Sequence, residues 1–155
     1  MKIAVLSDTH VGSVKSLPVK LINSLSCVDL IVHAGDFTTK EVLDELKQLG
    51  EVKAVHGNMD SVTLKMILAA KEVMSIGNKR IGITHGWGPP WGIEEKVRSV
   101  FAQDRVDVIV YGHSHEPQNK VIDGILFFNP GEASSSFGII TIDEDIKGEI
   151  ISSIV

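Results

Sequence analysis

The sequence predicts an α/β fold in which two sheets pack on each other, and three observations carry that expectation. Short apolar runs recur and each stops at a polar corner; helical patterns separate the runs over the first two thirds; the last third turns to hairpin chemistry. The first runs are Ile3-Ala4-Val5-Leu6 before Ser7-Asp8, Leu30-Ile31-Val32 before His33-Ala34-Gly35-Asp36, and Val52-Lys53-Ala54-Val55 before His56-Gly57-Asn58. Arg80-Ile81-Gly82-Ile83-Thr84 then precedes His85-Gly86, and Val106-Asp107-Val108-Ile109-Val110 precedes Tyr111-Gly112-His113. Runs this short and this rich in β-branched residues read as buried strands, with polar chemistry at their C-terminal ends.

Between the strands, Leu17 to Leu25 reads as a helix opened by Pro18, whose fixed φ suits a first turn. Thr38-Thr39-Lys40-Glu41 reads as a capping box for a second helix, with Val42, Leu43, Leu46 and Leu49 on one face and Gly50 as its stop. Ile93, Val97, Val100 and Phe101 mark a third. Such alternation argues for βαβ units and a largely parallel first sheet. Lys120-Val121-Ile122 and Ile125-Leu126-Phe127-Phe128 then flank Asp123-Gly124, a strong hairpin signal, and Phe137 to Ile142 and Glu149 to Val155 follow. The last third is therefore expected to supply a second, antiparallel sheet. With no repeat or linker to divide it, the chain is expected to be one domain over residues 1–155.

A chain of 155 residues buries roughly two thirds of the surface its unfolded form exposes, enough for a core without disulfides. Its one cysteine, Cys27, has no partner in the chain and reads as a small buried hydrophobe in a reducing compartment. The N-terminal apolar stretch turns polar at Ser7-Asp8, too short for a signal core or a membrane span, so a cytoplasmic protein without a membrane partner is expected. Net charge is −5 with both signs interspersed, which removes the basic stripe that long nucleic acids demand.

Open α/β sheets gather ligand sites outside the carboxyl ends of their strands. Here those ends supply Asp8, His10, Asp36, Asn58, His85, His113 and His115. His113 and His115 are two apart, so in an extended segment both rings face one object. Carboxylate, imidazole and amide oxygen together suit intermediate transition metals, and seven candidates are too many for one ion. They suit two ions about 3.5–4 Å apart that share a hydroxide able to attack phosphorus, provided one carboxylate bridges.

At this point the sequence resembles the calcineurin-like metallophosphoesterases. Their scattered signature is Asp-x-His, Gly-Asp, Gly-Asn-His-Asp/Glu, His-Gly and Gly-His-x-His. The chain carries Asp8-Thr9-His10, Gly35-Asp36, Gly57-Asn58-Met59-Asp60, His85-Gly86 and Gly112-His113-Ser114-His115 in that order. Asn129-Pro130-Gly131 extends the likeness to the small single-domain phosphodiesterase branch. The resemblance implies a β-sandwich of two mixed sheets flanked by helices, the four-layer α/β/β/α arrangement. It also implies one metal held by Asp8, His10, Asp36 and His115, and another by Asp36, Asn58, His85 and His113, with Asp36 bridging. Manganese is the first expectation, with nickel, iron, zinc and cobalt accepted by the same donors.

Two departures stand out. The motif histidine that would help the departing oxygen is Met59, and a thioether donates no proton, which predicts a bias toward diesters with good leaving groups. His56, two residues before Asn58, supplies that acid if the strand stays extended; otherwise it is a partly buried histidine bonded to backbone. Glu132 follows Pro130-Gly131 where the family commonly has Ser, and a carboxylate there repels phosphate unless it turns away or bonds a ligand histidine. His33 reads as a structural or supporting histidine, and Asp60 as an orienting or turn-capping acid. Trp87 and Trp91 follow His85-Gly86 and suit a ring-bearing substrate, the cover of an exposed core edge or a homo-oligomer contact.

The leading expectation is a metal-dependent phosphodiesterase that hydrolyses small phosphodiesters through a metal-bridging hydroxide, with Asp36, Asn58 and His56 in catalytic roles. The alternatives are a phosphomonoesterase or pyrophosphatase of the same fold, and a non-catalytic scaffold like the retromer subunit with this fold.

Overall fold

Three of the apolar runs have no polar face because both of their faces are covered. In the computed structural model, which describes residues 1–154, these are β1 (Lys2–Leu6), β2 (Leu30–His33) and β6 (Val108–Val110). Successive side chains point to opposite sides of a strand, so Ile3 and Val5 enter one core while Ala4 and Leu6 enter another.

The first sheet has the order β10-β9-β1-β2-β3, adding β3 (Val52–Ala54), β9 (Ser136–Ile142) and β10 (Ile146–Ser152). β1, β2 and β3 run parallel, and β9 and β10 are antiparallel additions on the other side of β1. The second sheet has the order β4-β5-β6-β8-β7, from β4 (Lys71–Ile76), β5 (Lys79–Thr84), β7 (Gln118–Ile122) and β8 (Ile125–Asn129). Within it β5, β6 and β8 are parallel, and β4 and β7 are antiparallel edges.

Four layers result. Ile3, Val5, Val32, Ile83, Val110 and Phe128 fill the space between the sheets. Outside the first sheet, Ala4, Leu6 and Ile31 pack against α1 (Val19–Leu25), α2 (Lys40–Leu49) and α3 (Val62–Ile67) through Leu21, Leu43, Leu46 and Leu64. Outside the second, Ile109, Tyr111 and Phe127 pack against Ile93 and Val97 of α4 (Ile93–Val100). The expected α/β class and the two-sheet sandwich flanked by helices are therefore observed.

The expected division of strands between the sheets is corrected. The last third does not form a sheet of its own: β9 and β10 return to extend the first sheet, while β5 and β6 join the second. Three elements were not expected from the sequence: the 3-10 turn Val14–Ser16, the edge strand β4 and the short helix α3, which buries Leu64 alone. The capping box is also corrected. Thr38 sits at φ 78 with its N–H held by Asp60, outside the extended conformation a cap needs, and Thr39 is the cap without a side-chain bond. Leu49 and Cys27 are exposed rather than buried, at the ends of α2 and α1. The Asp123-Gly124 turn has φ of 50° and 78°, the mirror-image turn that matches strand twist. Val155 lies outside the described residues. No helix among the described residues is long and apolar enough to cross a membrane.

Candidate metal centre

The seven candidate ligands all follow strand ends on one side of the sandwich. Asp8 and His10 follow β1, Asp36 follows β2, Asn58 follows β3, His85 follows β5, and His113 and His115 follow β6. Five of them hold a left-handed backbone: Asp8 (φ 52), His10 (48), Asp36 (60), His113 (67) and His115 (61). Such conformations cost roughly 1–3 kcal/mol each and persist where the surrounding structure enforces them, often for function. Two glycines make the close approach possible. A Cβ on Gly57 would overlap the Asp36 carboxylate, and one on Gly112 would overlap the Ser7 hydroxyl.

The side chains converge. Asp8 Oδ1 lies 3.7 Å from His10 Nε2, 3.2 Å from His115 Nε2 and 3.8 Å from His85 Nε2. Asp36 Oδ2 lies 3.2 Å from His85 Nε2 and 4.0 Å from His10 Nε2. Two donor groups follow, Asp8-His10-His115 and Asp8-Asp36-His85, each with its ligand atoms within 4.8 Å of one another. Asn58 Oδ1 and His113 Nδ1 meet at 3.2 Å, and the His113 ring lies edge-on to His85 at 5.3 Å. Asp8 is common to the two groups, whereas Asp36, which the resemblance implied for a bridge, belongs to the second, with its Oδ2 4.0 Å from His10 Nε2 of the first.

Hydrogen bonds fix which atoms remain free. Asp8 Oδ2 accepts from the Ser7 hydroxyl at 2.5 Å and the His113 N–H at 3.1 Å, and Asp36 Oδ1 accepts from the Met59 N–H at 2.8 Å. Each carboxylate thus turns one oxygen to the cleft. His85 Nδ1 donates to Ala34 O at 2.7 Å and His113 Nε2 donates to Gly88 O at 2.8 Å, which leaves a lone pair on the opposite ring nitrogen when the ring is neutral. Those lone pairs face oxygens that also only accept. Asp8 Oδ1 and His85 Nε2 are buried without a hydrogen-bond partner.

Unpartnered buried acceptors aimed at one another need a cation between them. Without a metal, a proton serves. Burial opposes charge on His85, yet the neighbouring Asp36 and Asp8 carboxylates raise its pKa above the ordinary imidazole value. Burial likewise opposes charge on Asp36, and His85 overrides it to hold that carboxyl below its ordinary value. A divalent metal satisfies the same atoms better, since the nitrogen and oxygen donors suit it and two carboxylates balance part of its charge. The residues present therefore fit a metal centre.

The supporting residues differ from one another. Asp60 is buried and its carboxylate accepts from the N–H groups of Asp36 (2.9 Å), Gly57 (2.7 Å) and Thr38 (2.8 Å), so it both caps the turn and orients the Asp36 loop. His33 is fully buried, stacked on Phe37, and paired with Thr9 Oγ1 at 3.2 Å and the Gly35 N–H at 3.1 Å. Burial, then the charge of His85, pushes its pKa down to about 3, so it is a neutral support and not a ligand. β3 ends at Ala54, two residues before His56. The His56 ring approaches only the Gly57 carbonyl, at 3.5 Å, and of its two readings the backbone one describes this geometry. Glu132 Oε2 lies 3.9 Å from His115 Nδ1, turned toward a candidate ligand. Trp87 and Trp91 are exposed. The sequence reading missed Ser7, although its place directly before Asp8 was a signal, and it missed the carbonyls of Ala34 and Gly88, which carry no sequence signal.

Comparison with known proteins agrees with this fold. Residues 1–144 match the family model described as the calcineurin-like phosphoesterase superfamily domain. A probable metallophosphoesterase of Methanocaldococcus jannaschii is 42% identical over 97% of this chain and 81% of its own length. A phosphodiesterase of the same organism is 28% identical over 92% of this chain and 90% of its own. Among solved structures, Vps29 of Entamoeba histolytica complexed with zinc superposes with a TM-score of 0.77 at 28% identity, covering 99% of both chains. The chain belongs to the calcineurin-like phosphoesterase superfamily.

Proposed function

We propose that the protein hydrolyses small phosphodiesters at a two-metal site. The observation that carries this reading is the set of unpartnered acceptors, Asp8 Oδ1 and His85 Nε2, enclosed by the remaining donors. Asp8, His10 and His115 would hold one ion, and Asn58, His85 and His113 the other, with Asp36 between them. Bound there, two divalent cations supply a hydroxide nucleophile at neutral pH and offset negative charge on the phosphoryl oxygens. The chain's own part is positioning: Ala34 O and Gly88 O set the tautomers of two histidines, and the Met59 N–H and Asp60 hold the Asp36 loop. With both ions held, the cleft would be cationic within an acidic protein and would draw a phosphate anion. Manganese is the first candidate metal, followed by nickel, iron, zinc and cobalt. The reading takes residues 1–155 as a single cytoplasmic domain that has no long nucleic acid as substrate, with self-association through the tryptophans left to measurement.

Elemental analysis and a substrate pair test this. Two equivalents of metal per chain, with bis-aryl phosphate turned over faster than mono-aryl phosphate, are the expected results. Faster monoester or pyrophosphate turnover would instead favour a phosphomonoesterase or pyrophosphatase. The likeness to Vps29 keeps a binding scaffold as the second reading; a chain that takes up metal yet hydrolyses no phosphoester would favour it.

A further inference from the structure

Exposed apolar side chains are unevenly placed on this molecule. Eleven large hydrophobics stand exposed among the described residues, and six of them lie in two short segments beside the metal centre. Met59, Val62, Met66 and Ile67 follow Asn58, and Trp87 and Trp91 follow His85. Single exposed hydrophobics are ordinary, but a concentration beside a polar cleft marks a binding surface.

The two segments are one imidazole ring apart. His113 meets Asn58 Oδ1 through Nδ1 at 3.2 Å and Gly88 O through Nε2 at 2.8 Å. Met59 is the chain neighbour of the first contact and Trp87 of the second. Both segments are also pinned through their backbone while their side chains stay out. Lys65 Nζ donates to Asn58 O at 3.0 Å, and Lys96 Nζ reaches Trp87 O at 3.5 Å and Pro89 O at 3.3 Å. Met59 keeps 59% of its surface exposed, Trp87 48% and Trp91 76%, so fixed loops present unoccupied apolar faces. The His115 side of the centre is different: there Glu132 approaches the ring, with Oε2 3.9 Å from His115 Nδ1.

We propose that Met59, Trp87 and Trp91 form a subsite for a ring-bearing substituent of the phosphodiester, an aryl group or a nucleobase, seated over the Asn58–His113 half of the centre. This deepens, and rests on, the phosphodiesterase reading. Indole faces stack on flat rings and a thioether favours a ring edge, so the surface prefers aromatic to small alkyl esters. The phosphoryl group is anchored next door, which orients the ring on the apolar side and leaves the second ester group over the acidic side. Beyond Met59 the exposed Val62 and Met66 of α3 continue the apolar surface outward.

Diphenyl phosphate and dimethyl phosphate are both monoanions and differ in their substituents. Calorimetric titration of the metal-loaded protein is expected to give at least about 10-fold tighter binding of the diphenyl ester. Because Trp87 and Trp91 are the chain's two tryptophans, its tryptophan fluorescence reports this loop and is expected to change with the diphenyl ester alone. Met59→Ala and Trp87→Ala should each remove most of the preference, weakening diphenyl phosphate binding by more than dimethyl phosphate binding. Equal affinities for the two esters, or equal losses for both in the variants, would overturn the subsite. Sedimentation velocity tests the rival use of the surface: a wild type that self-associates where Trp91→Ala does not would make it a contact between copies and overturn the proposal. Turnover of methyl p-nitrophenyl phosphate is followed separately, so its absence would count against the phosphodiesterase reading while the ring preference in binding still stood.

Discussion

On one side of the cleft His85 keeps 4% of its side-chain surface exposed and its Nδ1 is held by a backbone carbonyl; on the other, His10 and His115 keep 28% and 46%. Neither of the latter two has a carbonyl on its second nitrogen among the described residues, and His115 has only Glu132 at 3.9 Å. His85 is thus buried and held before any metal arrives, although Asn58 and His113 beside it are exposed and half-buried, while His10 and His115 must still order their rings. An ion entering the first half meets less competition from water and displaces less side-chain motion, so the two halves should differ in affinity.

The oxygen that links the halves gives the largest expected effect. Asp36 Oδ2 reaches toward both His85 and His10, and Asp36→Asn replaces a shared anion with a neutral amide. Metal stabilisation of developing charge is worth several kcal/mol, so diester kcat should fall by at least about 10²-fold in steady-state assays. Full retention of turnover would break the idea that one carboxylate serves both sides.

Next comes the affinity contrast itself. Titration of metal-free protein should show two classes of site, and His85→Ala should weaken the tighter class while His10→Ala weakens the looser one, each by more than about 10-fold. If both variants weakened the same class, the division drawn here would have to be redrawn with Asp8 as the only shared oxygen.

How much of this contrast could be read from the sequence depends on whether a side chain or the backbone does the work. The candidate donors were legible because carboxylates and imidazoles at strand ends have few other reasons to recur, and the glycines beside them mark tight approaches. The difference between halves was not, since every residue carries a carbonyl and only the fold brings Ala34 O and Gly88 O to the rings. The same applies to the sheets. Strands such as β1 and β6 announced themselves because both faces are covered, whereas β4, partly exposed along its length at an edge, shows no period to read. The return of β9 to β1 is a pairing across the whole chain, Ile3 against Ile140, which no local pattern encodes. Asp60 was visible as an acid, but its grip on three backbone N–H groups exists only once the Asp36 loop lies against it.

The buried half also carries a pH signature. His33 beneath it is neutral in the fold, with its pKa held down to about 3, whereas in the unfolded chain it binds a proton near the ordinary imidazole value of 6.5. The sign follows: its contribution to stability is complete above 6.5 and is lost as pH falls toward 3, because only the unfolded chain takes up that proton in this window. Urea unfolding of metal-free protein across that window should show a slope about 1.4 kcal/mol per pH unit steeper than the same experiment on His33→Gln. A slope is read rather than a single stability, so the packing change against Phe37 does not mask the outcome; equal slopes would mean that His33 is protonated in the fold.

The smallest effect belongs to the exposed half and concerns Glu132. A histidine ligand gains basicity and a fixed orientation when its second nitrogen meets a carboxylate, and loss of such a partner typically costs about 10–100-fold in metal affinity. Here the approach is 3.9 Å and both side chains are partly exposed, with 46% and 38% of their surface open, so water screens the pair and the lower end of that range applies. Glu132→Gln keeps the shape and removes the charge, and about 10-fold weaker binding of the looser metal, with the tighter one unchanged, is the expected calorimetric result. A variant that binds both metals as tightly as the wild type would leave His115 oriented by Asp8 alone. Glu132 would then matter only as a negative charge on the rim, and the contrast between the halves would rest on burial and the carbonyl at His85.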